Sequence, residues 1–136
     1  YVMTPAVEGR SDSFNPEREG HCGWNEYHAT DQAAAFAFYA GRFGWQPDRA
    51  MDMGPMGTYQ TFTSDGVLTG GLMNSPMPQQ AWLFYFNTGD IDAAVERITS
   101  NGGAIQLPPM EVPGGDWVVH AMDPQGAMFS LVAPGR

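Results

Sequence analysis

The stretch that decides the fold is WNEYHATDQAAAFAFYAGRFGW, residues 24–45, because its pattern occurs twice in the chain. A strand-like alternation ends at Thr30-Asp31, and a helical pattern then runs to residue 42 and stops before Gly44. Trp82, about 58 residues after Trp24, opens a second alternation that leads through Asp90 into a second helical pattern. The chain therefore repeats one structural unit, and Thr30 is the expected N-cap of the first helix.

Both copies end in an acidic residue and a glycine that form a turn before a last strand. The turn is Asp65-Gly66 in the first copy and Asp123-Pro-Gln-Gly126 in the second. A unit of one strand, one helix and three strands cannot bury its own sheet, so the two copies must pair. The sequence predicts an α+β domain in which two paired βαβββ modules form curved mixed sheets around a central cleft.

The predicted domain covers residues 21–136, with modules at 21–74 and 80–134. Residues 1–20 are predicted as a polar linker that begins with the last strand of a preceding domain, Tyr1–Met3. In the second module, the Pro- and Gly-rich segment Pro108–Gly115 is predicted as a loop.

Composition and charge limit the classes of partner. The chain has 136 residues with 43% hydrophobic and 12% aromatic content, which is enough for one domain with a real core. Its net charge of −9 argues against nucleic acid and anionic membranes as partners, since both require clustered cations. No apolar stretch approaches the roughly 20 residues that span a bilayer, so a cytoplasmic location is the default expectation. The single cysteine, Cys22, excludes an internal disulfide within this sequence.

Alternation along the strands selects the candidate site residues, because side chains two positions apart share a face. One face of the first strand carries Trp24, Glu26 and His28. Tyr85 lies on the less aromatic face of the predicted strand Ala81–Thr88. We expect these faces to line the cleft, and the aromatic face of Trp82, Phe84 and Phe86 to pack under its helix. The predicted ligand-binding set is Trp24, Glu26, His28, Tyr59, Tyr85 and Trp117.

The pattern resembles the vicinal oxygen chelate superfamily, which includes glyoxalases, bleomycin-resistance proteins and extradiol dioxygenases. The resemblance spans Gly20 to Pro134 and rests on the strand-to-helix turn at Thr30-Asp31, the run from Asp90 to Gly103, and the turn at Asp123–Gly126. Three further segments resemble a glyoxalase-like subgroup related to a mycobacterial secreted antigen, whose members often carry two such domains in tandem. These segments are Met51–Gly57, Gly70–Met73 and Met110–Gly115.

The resemblance also implies where a metal would bind. Metal enzymes of this superfamily place His or Glu on the first and last strands of each module, around one divalent ion. The matching positions here are Trp24, Gly70, Leu83 and Ser130, within about one residue, and none of these supplies a strong ligand. We therefore expect that the usual metal site is lost and that no cofactor is bound.

Two functional hypotheses remain open from the sequence. The first is a metal-independent domain that binds a small organic ligand in the cleft, with a homodimer or a tandem preceding domain as a further partner. The second is a lyase or isomerase in which Glu26 is the general base, with a pKa raised by its apolar surroundings, and His28 or His120 polarises the substrate. A recruited divalent metal belongs to this second hypothesis. Glu26 and both histidines also have a purely structural interpretation as hydrogen-bonded buried residues.

Overall fold

The structure is a computed structural model that describes Gly9, residues 11–75 and residues 80–136. The strand expected at Tyr1–Met3 lies outside these residues. The described part contains, in chain order, β1 (Cys22–Ala29), α1 (Gln32–Phe43), β2 (Gln46–Asp52), β3 (Thr58–Ser64), β4 (Val67–Asn74), β5 (Ala81–Asn87), α2 (Ile91–Ser100), β6 (Ala104–Glu111), β7 (Trp117–Met122) and β8 (Met128–Ala133). A short 3₁₀ turn, Gly54–Met56, joins β2 to β3.

All eight of these strands form one curved sheet in the order β2-β3-β4-β1-β5-β8-β7-β6. In each half the first and last strands of the module pair in parallel, β1 with β4 and β5 with β8. The two halves join through an antiparallel pairing of β1 with β5. The prediction of two paired βαβββ modules is confirmed, although they share a single continuous sheet.

An aspartate begins each helix. The Asp31 carboxylate accepts a hydrogen bond from the Ala34 amide, and the Asp90 carboxylate accepts one from the Ala93 amide. These bonds satisfy amides that have no partner within the helix. The expectation that Thr30 would be the N-cap of α1 is therefore wrong by one residue.

The helices cover the outer face of the sheet. Under α1, Tyr39 stacks on Trp45 and meets Trp82 edge-on, while Trp45 stacks on the buried Phe62 with ring centroids 4.0 Å apart. Under α2, Ile91 packs with Val119 and other residues of β7 and β8. The helices thus bury aromatic and aliphatic clusters on one side and leave the inner, concave face free to form a site.

Two predictions about the strands are wrong. The segment predicted as a loop at Pro108–Gly115 begins as strand, because β6 continues to Glu111. Prolines are tolerated there since β6 is an edge strand with irregular register against β7. The aromatic face of β5 is also not fully covered: Trp82 packs under α1, but Phe84 and Phe86 are 45% and 38% exposed.

Residues 11–20 pack against the domain. Phe14 forms an isolated bridge with Cys22, and the Asn87 side-chain amide donates to the backbone oxygens of Asn15 and Arg18. A Cβ on Gly23 would lie 2.1 Å from the Asn87 amide oxygen, so a larger residue there would displace this amide. None of the helices in the described residues has the length and apolarity needed to cross a bilayer.

Candidate functional site

A buried carboxylate on the concave face is the centre of the candidate site. Glu26 is 7% exposed and lies in the middle of β1, one of the two central strands. Its Oε1 atom accepts hydrogen bonds from His28 Nε2 at 2.7 Å and from the Tyr85 hydroxyl at 2.9 Å. Its Oε2 atom accepts a hydrogen bond from the Tyr59 hydroxyl at 2.7 Å. The sheet thus brings together side chains from β1, β3 and β5.

The two phenol oxygens are themselves acceptors. Trp24 Nε1 donates to the Tyr59 oxygen at 2.7 Å, and His120 Nε2 lies 3.1 Å from the Tyr85 oxygen. Because an ionised carboxylate can only accept, both phenol protons point to Glu26, and His120 must donate through Nε2. His28 must donate to Glu26 in the same way. The hydrogen bonds of the network therefore have one set of directions, in which both phenols and the Nε2 atoms of both histidines donate.

The pKa values agree with this arrangement. Burial raises the pKa of Glu26, but the bonds from His28, Tyr59 and Tyr85 outweigh it and hold that pKa below its usual range. Burial and the negative charge of Glu26 raise the pKa of both tyrosines far above the ordinary value, so they remain neutral. Burial lowers the pKa of His120, and the His28 charge acts in the same direction, against the pull of Glu26. The expected rise in the pKa of Glu26 is wrong, because the sequence did not reveal three donors aimed at it.

A glycine makes room for the Tyr59 side of the network. Gly71, in β4, lies opposite Glu26 of β1 on one side and opposite Thr61 of β3 on the other. A Cβ at this position would lie 2.3–2.5 Å from the outer ring atoms and hydroxyl of Tyr59. The Tyr59 ring can cross β4 to reach Glu26 only because Gly71 has no side chain.

A buried serine hydroxyl is left over. Ser130 in β8 is fully buried and pairs with Tyr85 on one side and His120 on the other, so the three side chains share the concave face. Its Oγ has no hydrogen-bond partner among the described residues. It lies close to Tyr85 and opposes the rise in the pKa of that phenol, because it stabilises the phenolate. The contact does not meet the geometry of a hydrogen bond. Such an unsatisfied group costs about 1–3 kcal/mol.

Two residues considered from the sequence lie away from the network. Trp117 faces the helix side of the sheet, where it packs with the α2 cluster and lies under the Arg136 guanidinium at 4.6 Å. Its expected position on the cleft wall is therefore wrong. Cys22 pairs with Phe86 on the same outer side, and burial raises the pKa of its thiol. The thiol is therefore not an activated nucleophile.

The positions that pair across the two parallel strand pairs supply few metal ligands. The inward positions that face each other across the two parallel pairs are Glu26, Gly71, Tyr85 and Ser130. Gly70 lies on the helix side, where an added Cβ would meet Asn25 and Phe62, so its expected inward position is wrong. The four inward residues offer one carboxylate, which already accepts three hydrogen bonds, and the imidazoles on the same face, His28 and His120, are engaged within the network. No group of three His, Cys, Asp or Glu side chains within the described ranges is arranged to hold a metal.

Sequence comparison identifies the family. The model of the Glyoxalase/Bleomycin resistance protein/Dioxygenase superfamily matches residues 20–131, most of the chain. The chain belongs to this superfamily. The resemblance drawn from the turns and glycines of the sequence is thereby confirmed.

Two groups of relatives, from Streptomyces and Mycobacterium species, are identical to this chain at about one third of the aligned residues. The anthracycline biosynthesis protein DauV of Streptomyces sp. (strain C5) is 33% identical, over 82% of this chain and 46% of its own length. The putative glyoxylase CFP32 of Mycobacterium tuberculosis is 31% identical, over 88% of this chain and 48% of its own. The chain thus spans about half the length of these relatives.

Solved structures share the fold at low identity. A methylmalonyl-CoA epimerase from Streptomyces coelicolor superposes with a TM-score of 0.64 at 18% identity, over 85% of this chain and 95% of the epimerase. A Mn(II)-bound glyoxalase from Novosphingobium aromaticivorans gives 0.64 at 19% identity, over 86% of this chain and 40% of its own. At these identities the comparison supports the architecture of the curved sheet and two helices.

The sequence predicted five of the six residues that form the network, and the structure brings these five together: Trp24, Glu26, His28, Tyr59 and Tyr85. His120, the sixth, was a candidate only for catalysis. The role of Gly71 was missed, although the pair Gly70-Gly71 in a strand signalled a close approach. The unsatisfied hydroxyl of Ser130 gave no signal in the sequence.

Proposed function

We propose that this domain binds a neutral, partly apolar small molecule with a hydroxyl group on its concave face, and that it does so without a metal ion. The observation that carries this proposal is the buried carboxylate of Glu26, whose described partners are two phenols and one imidazole. No arginine among the described residues contacts it. A hydroxyl donor can join such a carboxylate, whereas an anionic ligand would be repelled.

The surroundings of Glu26 favour a ligand with an apolar body. Trp24 packs against a cluster of Leu83, Tyr85 and Val118 on the same face. These side chains supply flat and aliphatic surface next to the polar network, which is typical of small-molecule sites. Some relatives are named for anthracycline biosynthesis, and a hydroxylated aromatic compound matches this combination of surfaces.

Calorimetric titration with three matched probes tests the proposal. We expect 2-naphthol to bind, 2-methoxynaphthalene to bind about tenfold more weakly because it lacks a donor, and 2-naphthoate to bind least because it is an anion. Glu26→Gln should remove the preference for 2-naphthol over its methyl ether. Equal affinity for the three probes, or tightest binding of the anion, would refute the proposal.

Metal analysis is the second arm of this test. Protein purified without a chelator should contain less than stoichiometric divalent metal, and adding EDTA should leave the affinity for 2-naphthol unchanged. A stoichiometric ion that survives purification and is lost in Glu26→Gln would show that the network is a metal site after all.

A second candidate is a lyase or isomerase with Glu26 as general base. The connection from His28 through Glu26 and Tyr85 to His120 favours it, because contacts of 2.7, 2.9 and 3.1 Å link two imidazoles through one carboxylate. Incubation of 1-tetralone in deuterium oxide tests this candidate. Deuterium exchange next to the carbonyl that exceeds the buffer rate and disappears in Glu26→Gln would favour the enzyme, and buffer-rate exchange would favour binding alone. A homodimer or tandem partner remains a prediction for either function.

A further inference from the structure

We infer that Ser130 is a positioning residue. Its hydroxyl oxygen accepts a hydrogen bond from the Tyr85 hydroxyl when a ligand hydroxyl replaces Tyr85 as a donor to Glu26. This inference rests on the proposed function and specifies how its site admits a ligand. Two observations support it: Ser130 is a fully buried hydroxyl without a hydrogen-bond partner in the described ranges, and it lies beside the phenol whose only proton points to Glu26.

The proton inventory explains why a second acceptor is needed. Glu26 Oε1 already accepts from His28 and Tyr85, so it is the crowded oxygen of the carboxylate. An incoming hydroxyl that donates to Oε1 leaves the Tyr85 proton without an acceptor, because His120 is already a donor to that phenol oxygen. Inside the site an unsatisfied phenol proton would oppose ligand binding.

Ser130 removes this obstacle through rotation of one hydroxyl. Ser130 and Tyr85 are paired on adjacent parallel strands, so their side chains lie next to each other on the same face of the sheet. The Tyr85 O–H turns from Glu26 to Ser130 Oγ, the ligand O–H takes the freed position at Glu26 Oε1, and His120 continues to donate to Tyr85. No covalent bond changes. The site thereby selects neutral molecules with a hydroxyl, such as phenols and enols, over their ethers.

A double-mutant cycle tests the role of Ser130. We expect Ser130→Ala to weaken 2-naphthol binding about five- to tenfold, as measured by calorimetry, because the displaced Tyr85 proton then has no acceptor. In Tyr85→Phe there is no such proton, so adding Ser130→Ala should change the affinity less than twofold. A loss of equal size in both backgrounds, or no loss in either, would overturn the inference.

Thermal unfolding without a ligand provides an independent readout. Ser130→Ala should unfold at the same temperature as the wild type or a higher one, because the serine hydroxyl forms no hydrogen bond with any residue that the structure describes. Thr61→Val is the matched control, since this buried hydroxyl donates to Asp48 and accepts from the Arg49 amide. It should lower the unfolding temperature. A lowered unfolding temperature for Ser130→Ala would mean that its hydroxyl has a structural partner and would overturn the inference.

The two proposals fail in different ways. If the wild type does not prefer 2-naphthol to 2-methoxynaphthalene, the proposed function fails, and the role of Ser130 fails with it. If the wild type shows this preference but Ser130→Ala retains full affinity, only the role of Ser130 is refuted.

Discussion

The two modules place different chemistry at equivalent positions of the same sheet. In the first module Glu26 of β1 pairs with Gly71 of β4, and the same register in the second module pairs Tyr85 of β5 with Ser130 of β8. The first module thus places a carboxylate beside a glycine, and the second places a neutral phenol beside a serine hydroxyl. The duplicated backbone supplies symmetric positions, and the side chains make the site one-sided.

The neighbouring strands extend this contrast. Tyr59 of β3 pairs with Met73, and the corresponding residue of β7, Val118, pairs with Val132. Tyr59 crosses the glycine of its module to reach the carboxylate, whereas Val118 is aliphatic and packs with Leu83 and Tyr85. In the first module Tyr59 and His28 therefore donate to Glu26, and in the second module the Ser130 hydroxyl can still accept a hydrogen bond.

The largest effect on stability should come from adding a side chain at Gly71 in the first module. Gly71→Ala should lower the free energy of unfolding by about 3 kcal/mol in urea titrations, because the new Cβ displaces the Tyr59 ring and its bond to Glu26. Gly41→Ala is the control, since nothing lies within 4 Å of its added Cβ and alanine favours the helix. It should be neutral or stabilising. Equal losses in both variants would show that Gly71 is not specifically required.

Removing the charge of the first module should have the next largest effect. Glu26→Gln should cost about 2 kcal/mol in the same titrations, because an amide keeps one acceptor and turns a donor toward a phenol that also donates. A variant as stable as the wild type would contradict the proton arrangement given above.

The pH dependence of stability reports on the same residue. The folded pKa of Glu26 is lowered, so its contribution is present above its unfolded pKa and is lost as pH falls through the folded value. Glu26→Gln should flatten the acid limb of stability below about pH 4.5.

His120 acts in a higher window: its folded pKa is lowered, so the unfolded chain takes up a proton first and stability falls as pH drops below about 6.5. His120→Gln should flatten only that upper window.

Much of this arrangement could be predicted from the sequence, because alternation and turns are local signals. The parity of β1 correctly placed Trp24, Glu26 and His28 on one face, and the repeat correctly paired the modules. The assignment of Trp117 failed because its strand has apolar residues on both faces, so alternation could not choose between them.

The pKa of Glu26 and the role of Ser130 could not be predicted for a different reason. Both depend on which side chains cross between strands that are distant in sequence, such as Tyr59 over Gly71. A count of neighbours along β1 suggests an apolar environment, whereas two of the three donors that reverse the shift, Tyr59 and Tyr85, come from β3 and β5. Register across the sheet decides the chemistry, and a single sequence specifies it only weakly.

A smaller effect should separate the two phenols. Tyr59→Phe should cost about 1.5 kcal/mol, because it removes a donor from Glu26 and also leaves Trp24 Nε1 without its acceptor. Tyr85→Phe also leaves His120 Nε2 without its acceptor, but it should cost only about 1 kcal/mol, because His28 still donates to the same carboxylate oxygen. Urea titrations of both variants measure the difference. A larger loss for Tyr85→Phe would mean that the second module, not the first, holds the carboxylate.

The smallest effect should come from the helix caps, where the modules use the same residue type. Asp31→Ala and Asp90→Ala should each cost about 1 kcal/mol, because each leaves one helix-start amide without an acceptor. The helices differ in burial, since α2 fully buries Ile91 and Ala94 while no residue of α1 is buried to that extent. Hydrogen exchange should therefore show α1 opening in Asp31→Ala more than α2 opens in Asp90→Ala. Faster exchange in α2 would mean that the aromatic contacts of Tyr39 and Trp45 hold α1 more firmly than the buried aliphatic residues hold α2.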